Sequence, residues 1–551
     1  MPEIPAISNF LSPLGARDAA TAIGLALIVL VTGSLRMAPG VCGDYHDDAI
    51  YVSTAEALAT GQGYRLIDVP GAPLQTKYPW IYPAILSVVW HVCPSFPGNL
   101  AVMQALTLCF AAATVAMGYL YLVRFGYCSR EIAAGAALVC ATAPYFLYFA
   151  VHTMAEMPFA LFTLFGLWGV ENAVLAPEMT RRKQFAWGCV LALPFLCRSI
   201  GATVVVASLW VLWRHRRPLR WYAGGVVCAV LPWILWSATG RGIWEQNPVD
   251  GYYTDYFGCW SSTGVSMAGR VLAKNAPLIA YQSAEMPLEG VSVFVGSLLG
   301  LSVTNAILMV MGLAAWLTMF SDLSKCRALA WMLAVYLAAM LAWSWPPQRF
   351  LVPILPLLAS YLLSMCATLL KGRRESVAGR FVRSLGLGAV LVANSGLLIC
   401  HAVQMGHTGF PLPTFGMRPV EWSPYESTFA WLRRNAGADD VIASGLDSMF
   451  ALYTDRRAIR PFVYDPGRLY YGERQAKFTP EETAGILESY RPRYLVLSPM
   501  PGFAEEKPLG DVIEELRLRY PEWLVLRYRG ADRRFMVFEI DWENGTKNDE
   551  R

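Results

Sequence analysis

The sequence is poor in charge and in the motifs that most soluble enzymes use. Only 16% of its 551 residues are charged, whereas about 25% is usual for a soluble domain. The six histidines form no HExxH motif and the 12 cysteines form no CxxC pair, which argues against a zinc site. No GxxxxGK[ST] loop and no GxGxxG at a strand–helix turn occurs, so the common nucleotide-binding motifs are missing. The formal net charge of +4 is too small to indicate a nucleic-acid partner.

Long apolar runs take the place of those motifs. The residues are 55% hydrophobic, and several runs reach or approach the length of about 18 residues that a transmembrane helix requires. The first run, around Ala20–Val31, is followed by no convincing cleavage site, so we interpret it as a retained span and not as a signal peptide. The sequence therefore predicts a polytopic α-helical membrane protein.

Basic clusters between the apolar runs predict the topology, because cytoplasmic loops carry an excess of Lys and Arg. Each cluster is assigned to the cytoplasm, so the chain must leave and return between neighbouring clusters. With residues 18–37 as an outward span, the N-terminus lies in the cytoplasm. The clusters are Arg124 with Arg130, Arg181–Lys183, Arg214–Arg220, Lys325 with Arg327, and Lys371–Arg383.

The parity of these crossings identifies the second span. The run 80–93 has about 14 residues, too few to span a bilayer comfortably, whereas 98–123 is long enough. We therefore predict an interfacial or re-entrant helix at 80–93 and the second span at 98–123. This places Lys77 and Tyr82 at the outer membrane surface, in the same outer loop as a group of aspartates.

The same reasoning predicts about 11 spans in total. The run 185–213 has cytoplasmic charge at both ends, so it must form two short limbs that turn near Arg198 on the outer side. We assign 1–409 to the transmembrane domain, with outer loops at 38–97 and 239–289. The other spans are predicted at 131–149, 157–176, 221–238, 290–318, 328–345, 350–370 and 384–405.

The composition changes near residue 410, where charge rises, cysteine disappears and α and β patterns alternate. This predicts an extracytoplasmic α/β domain at 410–543 and a disordered tail at 544–551. The predicted helices are Tyr425–Asn435, Glu481–Ser489 and Leu509–Leu518, and the predicted strands are Val441–Ala443, Tyr494–Leu497, Trp523–Arg527 and Phe535–Ile540.

The first outer loop contains three acids, Asp44, Asp47 and Asp48, directly after a membrane span. Acidic residues are costly at membrane depth, so three of them beside the surface suggest a function. A second interpretation is equally open. A helical pattern starts at Asp47 and ends at Gly61, so these acids could simply be an N-cap and a first-turn acid.

The predicted topology brings further charged residues to the outer face, namely Lys77, Glu156, Arg198 and Arg349. Each cation has a simpler interpretation, because lysine can snorkel to the headgroups and arginine can bind a lipid phosphate. Carboxylates beside cations at a membrane surface suit the transfer of a sugar from a lipid phosphate. The cations stabilise the anionic leaving group, and a carboxylate activates the acceptor hydroxyl or amine.

Four motifs in this order resemble the GT-C superfamily of integral-membrane glycosyltransferases, and most closely the bacterial branch related to protein O-mannosyltransferases and aminoarabinose transferases. The resemblance covers residues 18–405. Tyr78 stands where relatives have the first proline of a Lys-Pro-Pro motif. The motifs are Asp47-Asp48-Ala49-Ile50-Tyr51, Gln75-Thr76-Lys77-Tyr78-Pro79, Ala155-Glu156-Met157-Pro158-Phe159, and Arg349-Phe350-Leu351-Val352-Pro353-Ile354-Leu355-Pro356.

The resemblance implies a polyprenyl-phosphate sugar donor, an inverting transfer and no obligatory metal. It makes Asp47 the catalytic base, Asp48 the second acid of the pair, and Glu156 an acid that holds the acceptor or orients the site. The donor phosphate would be met by Lys77, Arg198, Arg349 and Tyr82, and Asp44, Tyr51 and His152 would bind the acceptor or support the site. A divalent cation near His46, Asp47 and Asp48 is the less favoured alternative.

The partners expected from this interpretation are the lipid-linked donor, membrane lipids and a glycan, lipid or protein acceptor. The expected location is the cell inner membrane, with the active face and the C-terminal domain outside the cytoplasm. A transporter or flippase for a lipid-linked or anionic substrate is the main rival, because transporters also carry broken helices and buried charges. We find no inverted halves in the sequence. A sensor anchored by its spans is a third interpretation, but an anchor does not need Arg198 in an apolar run.

Overall fold

The computed structural model describes residues 12–545 except 176–178, 262–263, 370–376, 413, 415–416, 418–419, 473–477, 502 and 504–505. The predicted cytoplasmic residues Lys371, Arg373 and Arg374 lie outside the described residues, as does nearly all of the tail predicted to be disordered. In chain order the α-helices are α1 Ala16–Ser34, α2 Asp47–Ala59, α3 Ile81–Val92, α4 Leu100–Arg124, α5 Arg130–Thr142, α6 Pro144–Val151, α7 Glu156–Leu175, α8 Arg181–Cys197, α9 Ala202–Arg214, α10 Leu219–Ala238, α11 Ile243–Gln246, α12 Pro248–Thr254, α13 Tyr256–Ser261, α14 Gly264–Glu285, α15 Glu289–Leu299, α16 Leu301–Ser321, α17 Ala328–Leu341, α18 Gln348–Leu351, α19 Leu355–Leu369, α20 Val377–Thr408, α21 Ser423–Asn435, α22 Asp447–Thr454, α23 Pro480–Tyr490, α24 Glu506–Arg519 and α25 Trp542–Gly545.

The chain forms two compact units, and each is assembled from segments that are distant in sequence. The helical unit comprises the chain up to Met37, Gln104–Leu235 and Gly269–Val403. The loop–sheet unit comprises Ala38–Met103, Trp236–Ala268 and the chain from Gln404 onward. The predicted domain limits at residues 409 and 543 stay a prediction.

The helical unit confirms the polytopic α-helical class. By length and composition, seven helices of the described residues could cross a membrane, or eight if α5 and α6, which are bent by 68°, form one span. Several predicted spans are shorter apolar helices, among them Ser199–Arg214 and Ala328–Leu341. This is why the number of long helices is smaller than the predicted number of spans.

Two local predictions agree with the structure. The run 80–93 forms the short helix α3 of 12 residues, although its position relative to a membrane stays a prediction. The run 185–213 breaks at Arg198, which has an extended backbone (φ −147°, ψ 136°) between α8 and a short 3₁₀ turn at Ser199–Gly201. The break leaves Arg198 at the junction of two helical limbs.

The C-terminal part of the loop–sheet unit contains a five-stranded sheet in the order β2-β1-β3-β5-β4. Strands β1, β2 and β3 are parallel, whereas β5 runs antiparallel to β3 and β4. The strands are β1 Ile442–Ser444, β2 Ala458–Ile459, β3 Tyr494–Leu497, β4 Leu524–Arg529 and β5 Met536–Ile540.

All four predicted strands and all three predicted helices of this region are present within a few residues of their predicted limits. Helix α22 and strand β2 were not predicted. Helix α22 has only eight residues, about two turns, which is too short for a clear amphipathic pattern. Strand β2 has only two residues, too few for a periodic pattern.

Candidate active site

Helix α2 begins after a tight turn, and this turn gives the two neighbouring acids different surroundings. The backbone N–H of Gly43 donates a 2.6 Å hydrogen bond to Asp48 Oδ2. Gly43 has a φ of 94°, and a side chain there would collide with Met449, so the turn requires glycine. Asp48 is 1% exposed. Asp48 is thus a first-turn acid of α2 whose carboxylate also stabilises the tight loop at Gly43.

Asp47 is the more accessible of the two acids, with 14% of its side chain exposed. The hydroxyl of Tyr78 donates a 2.7 Å hydrogen bond to Asp47 Oδ1. Burial, followed by the charge of Asp47, raises the pKa of Tyr78 well above its usual value, so Tyr78 keeps its proton and remains a donor. Asp47 is the first residue of α2, and a helix N-terminus favours an ionised carboxylate.

Lys77 is buried and directly precedes Tyr78, the residue that donates a hydrogen bond to Asp47. Its Nζ donates a 2.7 Å hydrogen bond to the carbonyl oxygen of Tyr252 and lies 3.7 Å from the centroid of the Tyr252 ring. The Gln75 side chain accepts hydrogen bonds from the backbone N–H groups of Lys77 (2.8 Å) and Tyr78 (3.0 Å). Tyr252, in α12, therefore helps to fix the lysine side chain. The turn formed by Gln75 fixes the backbone at Lys77 and Tyr78.

The remaining predicted residues of this loop are packed inside the loop–sheet unit. Tyr51 lies between Tyr78 and Tyr82, with ring centroids 5.5 Å and 5.2 Å away and edge-on geometry. Tyr82 is fully buried and Asp44 is 3% exposed. The structure therefore brings the rings of Tyr51, Tyr78 and Tyr82 into one cluster and buries Asp44.

The helical unit contains a second cluster of predicted residues. Glu156 is the first residue of α7, Arg198 lies at the break after α8, and Arg349 lies in α18. Glu156 Oε1 pairs with both Arg198 and Arg349. Glu156 is completely buried, whereas the arginine side chains are 10% and 12% exposed. Two guanidinium groups around one carboxylate leave the cluster with a formal charge of +1.

Neighbouring side chains hold the arginines of this cluster. Arg349 Nη2 lies 3.8 Å from the Met154 sulfur, and the Arg198 guanidinium lies 5.2 Å from the centre of the Phe350 ring. Predicted residue His152 is buried in the turn before α7, where its Nδ1 lies 2.6 Å from the Tyr148 carbonyl oxygen and its ring 3.9 Å from the Tyr148 ring. The cluster fits an anion, because its cations are partly exposed and its carboxylate is not.

Two charged residues near the turn were missed by the sequence analysis. Asp447 and Arg460 are buried with His46 in the loop–sheet unit. Asp447 Oδ1 lies 3.2 Å from His46 Nε2 and 3.0 Å from Arg460 Nε, and Tyr253 donates to Asp447 Oδ2. Burial raises the pKa of the Asp447 carboxyl, but His46, Arg460 and Tyr253 lower it more, to about 2. The available signal was the position of an acid just after a buried apolar strand.

The less favoured alternative of a divalent cation concerns His46 and the acids beside it. Among the residues that the structure describes, no group of three or more His, Cys, Asp or Glu side chains is arranged to hold a metal ion. The imidazole of His46, considered above as a ligand, lies 3.7 Å from Asp47 Oδ1 and contacts Asp447 on its other side.

Comparison with known proteins gives matches only at the level of structure. No protein-family model and no curated protein sequence matches this chain. The chain is similar to a crystal structure of ArnT from Cupriavidus metallidurans bound to undecaprenyl phosphate, with a TM-score of 0.52 and 14% identity over 95% of this chain and 98% of that one. It is also similar to the archaeal oligosaccharyltransferase AglB from Archaeoglobus fulgidus in complex with an inhibitory peptide and a dolichol-phosphate. The TM-score is 0.54 and the identity 11%, over 97% of this chain and 75% of that one.

Proposed function

We propose that this chain, which has the GT-C fold of membrane glycosyltransferases, transfers a sugar from a polyprenyl-phosphate donor to an acceptor outside the cytoplasm, with inversion. The fold similarity supports the class of reaction. The two structural neighbours were determined with undecaprenyl phosphate and dolichol-phosphate, which supports a lipid phosphate as the group that leaves. The acceptor class, whether glycan, lipid or protein, stays open.

The observation that carries the proposal is the setting of Asp47. It is more exposed than Asp48, starts a helix and accepts a hydrogen bond from Tyr78. A carboxylate can accept bonds from several donors, so an acceptor hydroxyl can bind while Tyr78 stays bound. This is what a general base requires: access to the substrate and a charge that its surroundings maintain.

The proposed reaction is a single displacement. The acceptor oxygen attacks the anomeric carbon from the face opposite the phosphate, and its proton passes to Asp47. The bond between the anomeric carbon and the phosphate oxygen breaks, and the lipid phosphate leaves with the electron pair. The family resemblance assigns the stabilisation of the charge that develops on the phosphate to Lys77, Arg198 and Arg349. Within the helical unit, Glu156 would orient the two arginines.

The test is turnover of a panel of radiolabelled polyprenyl-phosphate sugars by purified protein in detergent. Asp47→Asn keeps the size of the side chain and removes the base, so we expect a loss of about 10²–10⁴-fold in kcat. Glu56→Gln is the matched control, since it removes a carboxylate from the same helix at a distance from the turn. Undiminished transfer by Asp47→Asn would exclude Asp47 as the base. Failure of every donor with the wild-type protein and a mixed acceptor preparation would contradict the proposed reaction.

A further inference from the structure

The residue before the proposed base has an unusual backbone. His46 has φ 69° and ψ −57°, and the N–H of Asp47 donates a 2.9 Å hydrogen bond to the carbonyl oxygen of Tyr45. These values define a three-residue γ-turn of the rare form, which is strained for any residue other than glycine. Such a turn persists only where the surrounding structure holds it, and here it directly precedes Asp47.

The His46 side chain is held from two sides. It is 2% exposed, and its Nε2 lies 3.2 Å from Asp447 Oδ1. The rings of Tyr252 and Tyr253 lie 5.6 Å and 6.1 Å from the imidazole. Asp447 is in turn fixed by Arg460 and by the hydroxyl of Tyr253. Buried charges are tolerated only when they are paired in good geometry, so this cluster allows the imidazole little freedom.

Asp447 and Arg460 both lie at one edge of the C-terminal sheet. Asp447 is the first residue of α22, which follows β1, and Arg460 directly follows β2. Strands β1 and β2 are parallel neighbours, so their carboxyl ends meet at the same edge, where open α/β sheets usually bind their ligands. In this protein the edge contacts the turn itself, because Met449 of α22 packs against Gly43.

We infer that Asp447 and Arg460 are positioning residues for Asp47: they fix His46 in its strained turn and thereby place the carboxylate at the start of α2. Arg460 and the proposed phosphate-binding lysine also contact the same aromatic ring. The Tyr252 ring faces the Arg460 guanidinium at 5.0 Å and Lys77 Nζ at 3.7 Å. The catalytic part of this inference rests on the proposed function, whereas the structural part does not.

The structural part is tested by hydrogen–deuterium exchange of the purified full-length protein, without any substrate. In Asp447→Asn we expect the amide hydrogens of residues 43–50 to exchange about tenfold faster, since the carboxylate that contacts the His46 imidazole and pairs with Arg460 is lost. Glu482→Gln is the matched control, because it removes a partly buried ion pair with Arg468 in the same unit. Unchanged exchange in Asp447→Asn would overturn the inference whatever the activity.

The catalytic part is tested by steady-state kinetics with the best donor. A small misplacement of a reacting group costs up to about 100-fold, so we expect Asp447→Asn to lower kcat about 10–100-fold and to change the KM for the donor less than about twofold. His46→Gln should act in the same direction, and the double variant should be no more than about twofold slower than the slower single variant, since both changes break one contact.

The outcomes separate the two proposals. Faster exchange in Asp447→Asn without any wild-type turnover would support the positioning role and contradict the proposed function. Wild-type turnover with an unchanged kcat in Asp447→Asn would overturn the positioning of the base and leave the proposed function intact. If Asp447→Asn does not fold, His46→Gln decides both parts, because it leaves the buried Asp447–Arg460 pair in place.

Discussion

At the scale of single residues, Glu156 shows how a buried charge is made tolerable. The carboxylate is completely buried and pairs with both Arg198 and Arg349. Its removal would leave two guanidinium groups close together with no anion between them. Breaking a buried ion pair by removing one partner is far more costly than exchanging the whole pair for apolar residues.

We therefore expect Glu156→Gln to lower the free energy of unfolding by about 3–5 kcal/mol, measured by thermal unfolding in detergent. The control is Glu131→Gln. Glu131 is an exposed acid, so this change should alter the free energy of unfolding by less than about 0.5 kcal/mol. Equal stability of the two variants would mean that the arginines do not depend on Glu156.

Asp68 is another buried acid, and it lies in the loop after α2. Burial raises its pKa from 3.8 to about 6, and the nearby charge of Asp447 contributes. A raised pKa in the folded state means that folding favours the protonated form. The folded state therefore loses stability as the pH rises from about 4 to above 6, and below about 4 the group makes no difference.

Replacement of Asp68 by Asn should remove this dependence. At pH 8 we expect Asp68→Asn to be more stable than the wild type by about 2–3 kcal/mol, and at pH 4 the two proteins should unfold at the same temperature. Thermal unfolding at both pH values measures the difference. A variant that is less stable than the wild type at pH 8 would show that the carboxylate is well solvated or paired.

At the scale of helices, the helical unit depends on close approach between α8 and α10. A side-chain carbon on Gly225 would come within 2.2 Å of the Phe185 carbonyl oxygen, and one on Gly188 within 2.2 Å of the Tyr222 carbonyl oxygen. Small residues at such crossings let helix backbones touch, which is a main source of packing energy between apolar helices.

Gly225 and its neighbour Gly224 form a matched pair for a test of this contact. Gly225→Ala should destabilise the protein by about 1–3 kcal/mol, because the methyl group forces the helices apart. Gly224→Ala should be neutral or slightly stabilising, since its side chain would meet Phe185 only at ordinary contact distances of 3.9 Å and more and alanine favours the helix. Thermal unfolding compares them. Similar losses would indicate that helix geometry, and not the crossing, is responsible.

At the scale of the whole molecule, the units do not follow the order of the sequence. The segments 38–103 and 236–268 belong to the same compact unit as the C-terminal sheet. The contact between His46 and Asp447 joins residues that are about 400 positions apart in the chain. Removal of the C-terminal region is therefore expected to expose the turn that carries Asp47.

The predicted topology has a direct test. Alkaline phosphatase folds only outside the bacterial cytoplasm, so its fusion after residue 545 should be active. A fusion after Arg216, in the basic turn between α9 and α10, should be inactive, because basic loops stay in the cytoplasm. Two active fusions, or two inactive ones, would contradict the predicted number of crossings between these points.

The sequence by itself determined the polytopic helical class, the break at Arg198, the start of a helix at Asp47 and most of the C-terminal elements. These features depend on local quantities: the length of an apolar run, the charge at its ends and the period of its pattern. The family resemblance came from short motifs of the same local kind.

Only the tertiary structure decided which of the two acids is accessible, how Glu156 is shared by two arginines, and that His46 is bound by Asp447. Each of these depends on a pairing between distant segments, and a buried charge carries no local sign of the partner that neutralises it. Spacing can place an acid at the start of a helix, but the close contact between Gly43 and Met449 and the turn at His46 exist only when the C-terminal sheet is folded against that loop.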